Sequence, residues 1–309
     1  MRVATAPVNW NNDDLPDWRA HVPFPRILDA MQQAGYPATE MGSNFPPNAS
    51  VLRRELSHRA MDLCGAYQWL PLKDMPLLTQ RLDTLVPTFT ALHDCGCRHL
   101  IVADELTPAR IALAGHVPPD GSQSLDTPGF QRLAEGISTT AMVAQRFGLR
   151  VHLHNHVGTY VETPDEVAAL TAVMDDDAAD FCFDTGHYAY GGGDPVQFVE
   201  QYAARIGYLH LKDVDRDVLV ATRANAWSFL AALRHVIFCP FGDGTVDIPT
   251  IVRTLARSSF DGWIVVEQDT CRGDSTTTAA NNLAYLVDNC LAGLTSQSLD
   301  ASTDEKVVR

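Results

Sequence analysis

The chain is poor in positive charge and nowhere concentrates it. It carries 23 Lys and Arg against 38 Asp and Glu, a formal net charge of −15 over 309 residues, and no basic run exceeds two. Such a surface repels nucleic-acid phosphates and anionic membranes, so neither is an expected partner. No apolar stretch reaches the roughly 18 residues that suggest a membrane span. Met1-Arg2-Val3-Ala4-Thr5 runs into a polar loop and has no apolar core of a secretion signal. The seven cysteines, at 64, 95, 97, 182, 239, 271 and 290, form no Cys-x-x-Cys pair. An odd count without pairing reads as reduced thiols, and a cytoplasmic protein is the expectation. A glycine-rich phosphate loop is missing too. Pro7-Val8-Asn9-Trp10-Asn11 follows the first apolar run, and Gly191-Gly192-Gly193 lacks the Lys-Ser/Thr ending of such a loop.

What is present is alternation. Short apolar runs at 3–7, 38–41, 61–67, 99–103, 149–154, 181–184, 206–211 and 263–267 read as strands. Helical stretches at 25–35, 77–95, 127–147, 164–174, 195–204, 248–257 and 279–291 separate most of them, several opened by proline or ended by glycine. Strands joined through helices pair in parallel, and eight such units favour an α/β (β/α)8 barrel over an open doubly wound sheet. The barrel is expected to occupy 1–294, with an insertion at about 213–245 that is partly helical around 226–235. The polar stretch 295–309 reads as a disordered tail.

Barrel enzymes place their chemistry at the C-terminal ends of the strands. Four consecutive strand ends here offer imidazoles and carboxylates. They are His154-Asn155-His156, Asp184-Thr185-Gly186-His187, His210-Leu211-Lys212-Asp213 and Glu267-Gln268-Asp269. Each has a bland alternative: Asp184 could cap the next helix, His210 could be a core histidine, and Glu267 could pair structurally. Four together point to a divalent metal site. Carboxylates with one or two imidazoles suit Mn²⁺ or Co²⁺, with Mg²⁺ and Zn²⁺ also compatible. A metal with open positions polarises a carbonyl and stabilises the enediolate left by α-proton removal, so the expected substrate is a small polyhydroxylated carbonyl compound. Asn9, Trp10, Trp69 and Tyr188 are candidate substrate contacts, with Tyr190 a further pocket wall.

The Asp-Thr-Gly-His turn at 184–187 and the strand ends at His210 and Glu267 resemble the xylose-isomerase-like sugar isomerase/epimerase superfamily. Within it, a longer series of motifs is similar to the inosose dehydratase (2-keto-myo-inositol dehydratase) branch. These are Ala6 to Asp14, Ala34-Gly35-Tyr36 with Glu40-Met41-Gly42, His154 to Thr163, Phe183 to His187, His210 to Val214, Gly242-Asp243-Gly244 and Gly262 to Asp269. The chain departs from that branch at Ser43-Asn44-Phe45-Pro46 and at Thr270, where proline is usual.

The resemblance implies metal ligands Asp184, His210 and Glu267. The fourth is His154, with Glu162 the alternative. His156, His187, Lys212 and Glu162 become the candidate general acids and bases. The implied reaction is dehydration of a keto-inositol. Isomerisation or epimerisation of a ketose or keto-inositol is the alternative, and a barrel that only binds sugar is a third reading. The superfamily's endonucleases need a basic DNA-binding face, which this chain's charge opposes. Self-association is common among such barrels and is carried by the resemblance alone.

Overall fold

The structure, a computed structural model, describes residues 1–292. The predicted tail at 295–309 lies outside the described residues. Eight parallel strands close into a barrel: β1 Arg2–Thr5, β2 Ala38–Met41, β3 Asp62–Leu70, β4 His99–Asp104, β5 Arg150–His154, β6 Asp180–Asp184, β7 Ile206–Leu211 and, after a two-strand hairpin of β8 Asp213–Val214 with β9 Phe238–Cys239, β10 Trp263–Val266. The closed order is β1-β10-β7-β6-β5-β4-β3-β2. Closure is made by β1, which pairs with β10 from Arg2↔Trp263 to Thr5↔Val266 and meets β2 at Thr5↔Thr39.

Burial on both faces explains the strand sequences. Trp263-Ile264-Val265-Val266 is apolar throughout because one set of side chains faces the barrel lumen and the other faces helices. Ala4, Ala6, Ala38, Cys64, Ile101, Cys182, Tyr208, Trp263 and Val265 form a separate buried cluster from the main core. Its small members on β1 and β2 leave room for Tyr208 and Trp263, the mixed-size filling that barrel interiors need.

The strand expectations hold with shifted ends. The first strand stops at Thr5, and Pro7–Asn9 forms a 3-10 turn, since Pro7 has no N–H for a ladder. The third strand continues to Leu70, so Trp69 belongs to it. The long helix expected over 77–95 is two helices, Met75–Thr84 and Val86–Asp94, because Pro87 sits in the first turn of the second. Helices at Ala49–Ser57, Pro108–Leu113 and Thr185–Tyr190 were not anticipated. The insertion holds two helices, Arg216–Asn225 and Phe229–Arg234, where only the second was expected. Asp213 ties its base together: its carboxylate accepts from the backbone N–H of Val214, Gly242, Gly244 and Val246 at 2.8 to 3.1 Å.

Candidate active site

Parallel pairing brings four strand ends to one mouth. Asp184 and His210 are register partners on β6 and β7, and His154 on β5 is the partner of Cys182. Glu267 follows the last residue of β10. His154 Nε2 lies 3.4 Å from Asp184 Oδ2, and His210 Nδ1 lies 3.1 Å from Glu267 Oε2 and 4.0 Å from Asp184 Oδ2. All four side chains are buried.

The surroundings aim these atoms. Asp184 does cap the helix after it: Oδ1 accepts from His187 N at 2.7 Å, which leaves Oδ2 for the centre. Asn155 holds Asp184 by its backbone, accepting from its N–H at 2.8 Å and donating to its carbonyl at 3.0 Å. His210 Nε2 lies 2.9 Å from Glu40 Oε1 on β2. A carboxylate on the far nitrogen fixes the ring and turns Nδ1 inward, the arrangement metal-bound histidines commonly show. The Lys212 ammonium lies between the two acids, 2.8 Å from Asp184 Oδ2 and in contact with Glu267 Oε2.

The electrostatics follow from burial and these contacts. Burial alone would raise the Asp184 carboxyl, but Lys212 and the imidazoles of His187 and His154 hold it well below the usual range. Glu267 is likewise held down, to about 2, by His210 and Lys212 against burial. Burial lowers His154 to about 4, so its imidazole is neutral with a lone pair available. His156 and His187 are also pushed well below the ordinary histidine value, by burial first and then by neighbouring imidazoles. Burial disfavours charge on Lys212 too, yet Asp184, Asp269 and Glu267 outweigh it and keep the ammonium protonated.

Above this cluster opens a cavity of about 270 Å³. His154, His156, His187, His210, Lys212, Glu267 and Asp269 line its depth, with Tyr67 and Trp69 on one wall. Asn11, Asn12, Asp13, Asp14, Ser43, Asn44, Gln68 and Arg81 line it as well, beside the apolar Ala6, Pro7, Val8 and Met41. The His156 and His187 rings lie with centroids 3.6 Å apart and planes tilted by 36°, and Trp69 meets His156 edge-on at 4.7 Å. His156 Nδ1 is 2.6 Å from the Val157 carbonyl, which can only accept; Nδ1 therefore carries the proton and Nε2 the lone pair.

Six expected residues do not line this cavity: Asp184, which meets its lining through His154 and Lys212, and Glu162, Asn9, Trp10, Tyr188 and Tyr190. Glu162 spends both carboxylate oxygens on backbone, accepting from Gly115 N at 2.8 Å and Gly158 N at 2.7 Å, with Arg110 beside it. The antiparallel bridge His156↔Val161 turns the chain away from the mouth before Glu162 is reached. Asn9 clamps β1 to β10, donating to Thr5 Oγ1 and accepting from Gln268 N. Trp10 is buried with its indole N–H donating to Thr276 Oγ1. Tyr188 packs on Phe183 and Phe198, and Tyr190 is buried against Phe229 and Phe238. Conversely, the sequence reading gave no role to Glu40, Asp14, Tyr67 or Asp269. Glu40 and Asp14 lay within motifs that carry the resemblance and Asp269 closed the last strand end, whereas Tyr67 had no signal.

The donor set fits a divalent cation. His154 Nε2 and His210 Nδ1 are buried without a hydrogen-bond partner, and both point at carboxylate oxygens whose ionised form is favoured. Two imidazoles and two carboxylates make a mixed nitrogen and oxygen set that suits Mn²⁺, Co²⁺ or Zn²⁺.

Comparison with known proteins agrees with this geometry. The profile of the xylose isomerase-like TIM barrel family matches residues 28–288, and the chain belongs to that family. Its members commonly bind divalent metals. Among its relatives is the inosose dehydratase of Geobacillus kaustophilus (strain HTA426), 34% identical over 270 residues and 87% of each chain. The rhizopine catabolism protein MocC of Rhizobium meliloti is also 34% identical, over 87% of this chain and 82% of its own. Of solved structures, the probable 3-DHS dehydratase AsbF of Bacillus anthracis superposes with a TM-score of 0.68 at 14% identity, over 93% of this chain and 99% of that one. An L-ribulose 3-epimerase gives 0.67 at 15% identity, over 100% and 99%. The chain is an enzyme. Among the described residues no helix is long and apolar enough to cross a membrane.

Proposed function

We propose that this enzyme dehydrates a keto-inositol or a closely similar cyclic keto-polyol, with a divalent metal held by His154, Asp184, His210 and Glu267. The observation that carries the reading is the run of close contacts from His154 Nε2 to Asp184 Oδ2, on to His210 Nδ1 and then to Glu267 Oε2, with His154, His210 and Glu267 lining a polyol-sized cavity. The inosose dehydratase relatives support the substrate class. Bound there, the metal supplies Lewis acidity toward a ketone oxygen, and Mn²⁺ or Co²⁺ suits the donors.

The chain's own residues divide the proton work. His156 is neutral and its Nε2 has the free lone pair, so it takes the proton from the carbon next to the ketone. Lys212 is protonated and stands at the cavity floor, so it supplies positive charge to the developing enolate and a proton to the departing β-hydroxyl. His187, packed against His156 at a tilt, keeps that ring in place. Gln68, Arg81 and the Asn44 Oδ1 in the lining are hydrogen-bonding partners for the remaining hydroxyls, whereas the Asn11 and Asn12 amides are held by backbone groups.

Epimerisation would share the first proton abstraction and differ in where the proton returns. The two are separated by offering 2-keto-myo-inositol to metal-stripped protein resupplied with Mn²⁺ or Co²⁺. Metal-dependent growth of an enolised-diketone absorbance is the expected result. Solvent deuterium entering the substrate without that absorbance would establish the epimerase instead. Neither signal with any metal would remove the keto-inositol assignment.

A further inference from the structure

Cys182 has no part in the reaction described above, yet it lies at the same centre. It precedes Asp184 by two residues on β6, so both side chains face the barrel lumen, with the thiol one layer deeper. Its register partner on β5 is His154. The Cys182 sulfur and one nitrogen from each of His154 and His210 all lie within 4.8 Å of one another, and all three residues are buried. Both nitrogens of His154 and the Nδ1 of His210 have no hydrogen-bond partner. A tetrahedral zinc-type site has Zn–S of about 2.3 Å and Zn–N of about 2.0–2.1 Å, hence ligand–ligand edges of roughly 3.6 Å. Shifts of about an ångström would close this triangle on an ion.

We propose that Cys182, His154 and His210 form a second, deeper position for a soft divalent cation such as Cd²⁺ or Zn²⁺. The donor chemistry separates the two positions. The upper one adds two carboxylates and favours harder ions; the lower one adds sulfur and favours thiophilic ions. They share both imidazoles, so one chain holds an ion at one position or the other. A soft ion in the lower position draws His154 and His210 away from Asp184 and Glu267 and shuts out the catalytic metal. On binding, the Cys182 S–H proton leaves to solvent and a sulfur–metal bond forms, with no change of oxidation state. The inference shares two imidazoles with the proposed metal centre and does not depend on which substrate is dehydrated.

The test is a Cd²⁺ titration of the full metal-stripped chain, followed by the sulfur-to-cadmium charge-transfer band in the ultraviolet. The expected band saturates at one ion per chain, is lost in Cys182→Ser, and survives in Asp184→Asn/Glu267→Gln. Cys182→Ala replaces the serine variant if the hydroxyl disturbs the buried floor. A wild-type chain without the band overturns the proposal, as does a band that persists without Cys182. Failure of the two readings is distinguishable. A Mn²⁺-active enzyme lacking the band removes only the soft-metal position. A band in a protein inactive on keto-inositols removes only the dehydratase reading.

Discussion

His210 Nε2 and Glu40 Oε1 lie 2.9 Å apart across the barrel lumen, although 170 residues separate them in the chain. The contact joins β7 to β2 and leaves the His210 Nδ1 facing Glu267 and Asp184. Glu40→Gln keeps the shape and removes the charge that orients the ring. It is expected to lower affinity for Mn²⁺ by about 10–100-fold, the usual effect of removing such a partner. Competition against a metal-sensitive dye measures it; an unchanged affinity would show that the ring is held by packing alone.

Metal uptake is expected to be proton-linked. Burial opposes charge on the metal-free His210, but Cys182, Glu267 and Glu40 outweigh it and raise the imidazole well above its ordinary value. At neutral pH Nδ1 therefore carries a proton that a metal must displace. Affinity falls as pH falls, by about tenfold per unit for one proton released. Proton release on adding Mn²⁺ in weak buffer checks this, and an affinity flat from pH 6 to about pH 8 would contradict it.

Glu162 and His154 were alternatives for the fourth ligand, and their variants are expected to separate. Glu162→Ala strands the buried N–H groups of Gly115 and Gly158 and destabilises the fold, at about 1–3 kcal/mol for each orphaned donor. Its metal content is expected to remain that of the parent. His154→Ala should lose metal with a much smaller fall in melting temperature. Thermal unfolding with metal analysis on both variants decides it, and metal loss in Glu162→Ala with His154→Ala unaffected would reverse the assignment.

Much of the centre was legible in the sequence because parallel strands make one mouth of their C-terminal ends. His154, Asp184 and Glu267 each terminate an apolar run and His210 stands one residue before the end of its own, so the alternation that revealed the barrel also placed them together. Glu40 was not legible as their partner. It lies within the second strand, and only barrel closure brings it to His210. Glu162 was misplaced for the opposite reason. Eight residues beyond His154 it reads as part of the same strand end, but the turn closed by His156 and Val161 carries it behind the wall. The helix break before Pro87 had a visible cause, a proline whose missing N–H suits a helix start better than an interior.

Lys212→Met is expected to act in opposite directions on binding and turnover. The ammonium contacts both Asp184 and Glu267, so its loss leaves two buried carboxylates facing each other and destabilises the metal-free protein. A divalent ion relieves that repulsion, so metal binds more tightly. Turnover falls by about 10²-fold or more as the proton donor is lost. Parallel metal titration and steady-state kinetics measure both; weaker metal binding would make Lys212 a support of the centre rather than its competitor.

The central claim is that His154, Asp184, His210 and Glu267 hold the metal that makes proton abstraction feasible. Metal content and solvent-deuterium exchange into 2-keto-myo-inositol, measured together on the parent and on Asp184→Ala/Glu267→Ala, test it most directly. The account predicts one tightly held ion per parent chain with rapid exchange, and a folded variant with neither. A variant that keeps its metal, or that exchanges the α-proton at the parent rate, would contradict it.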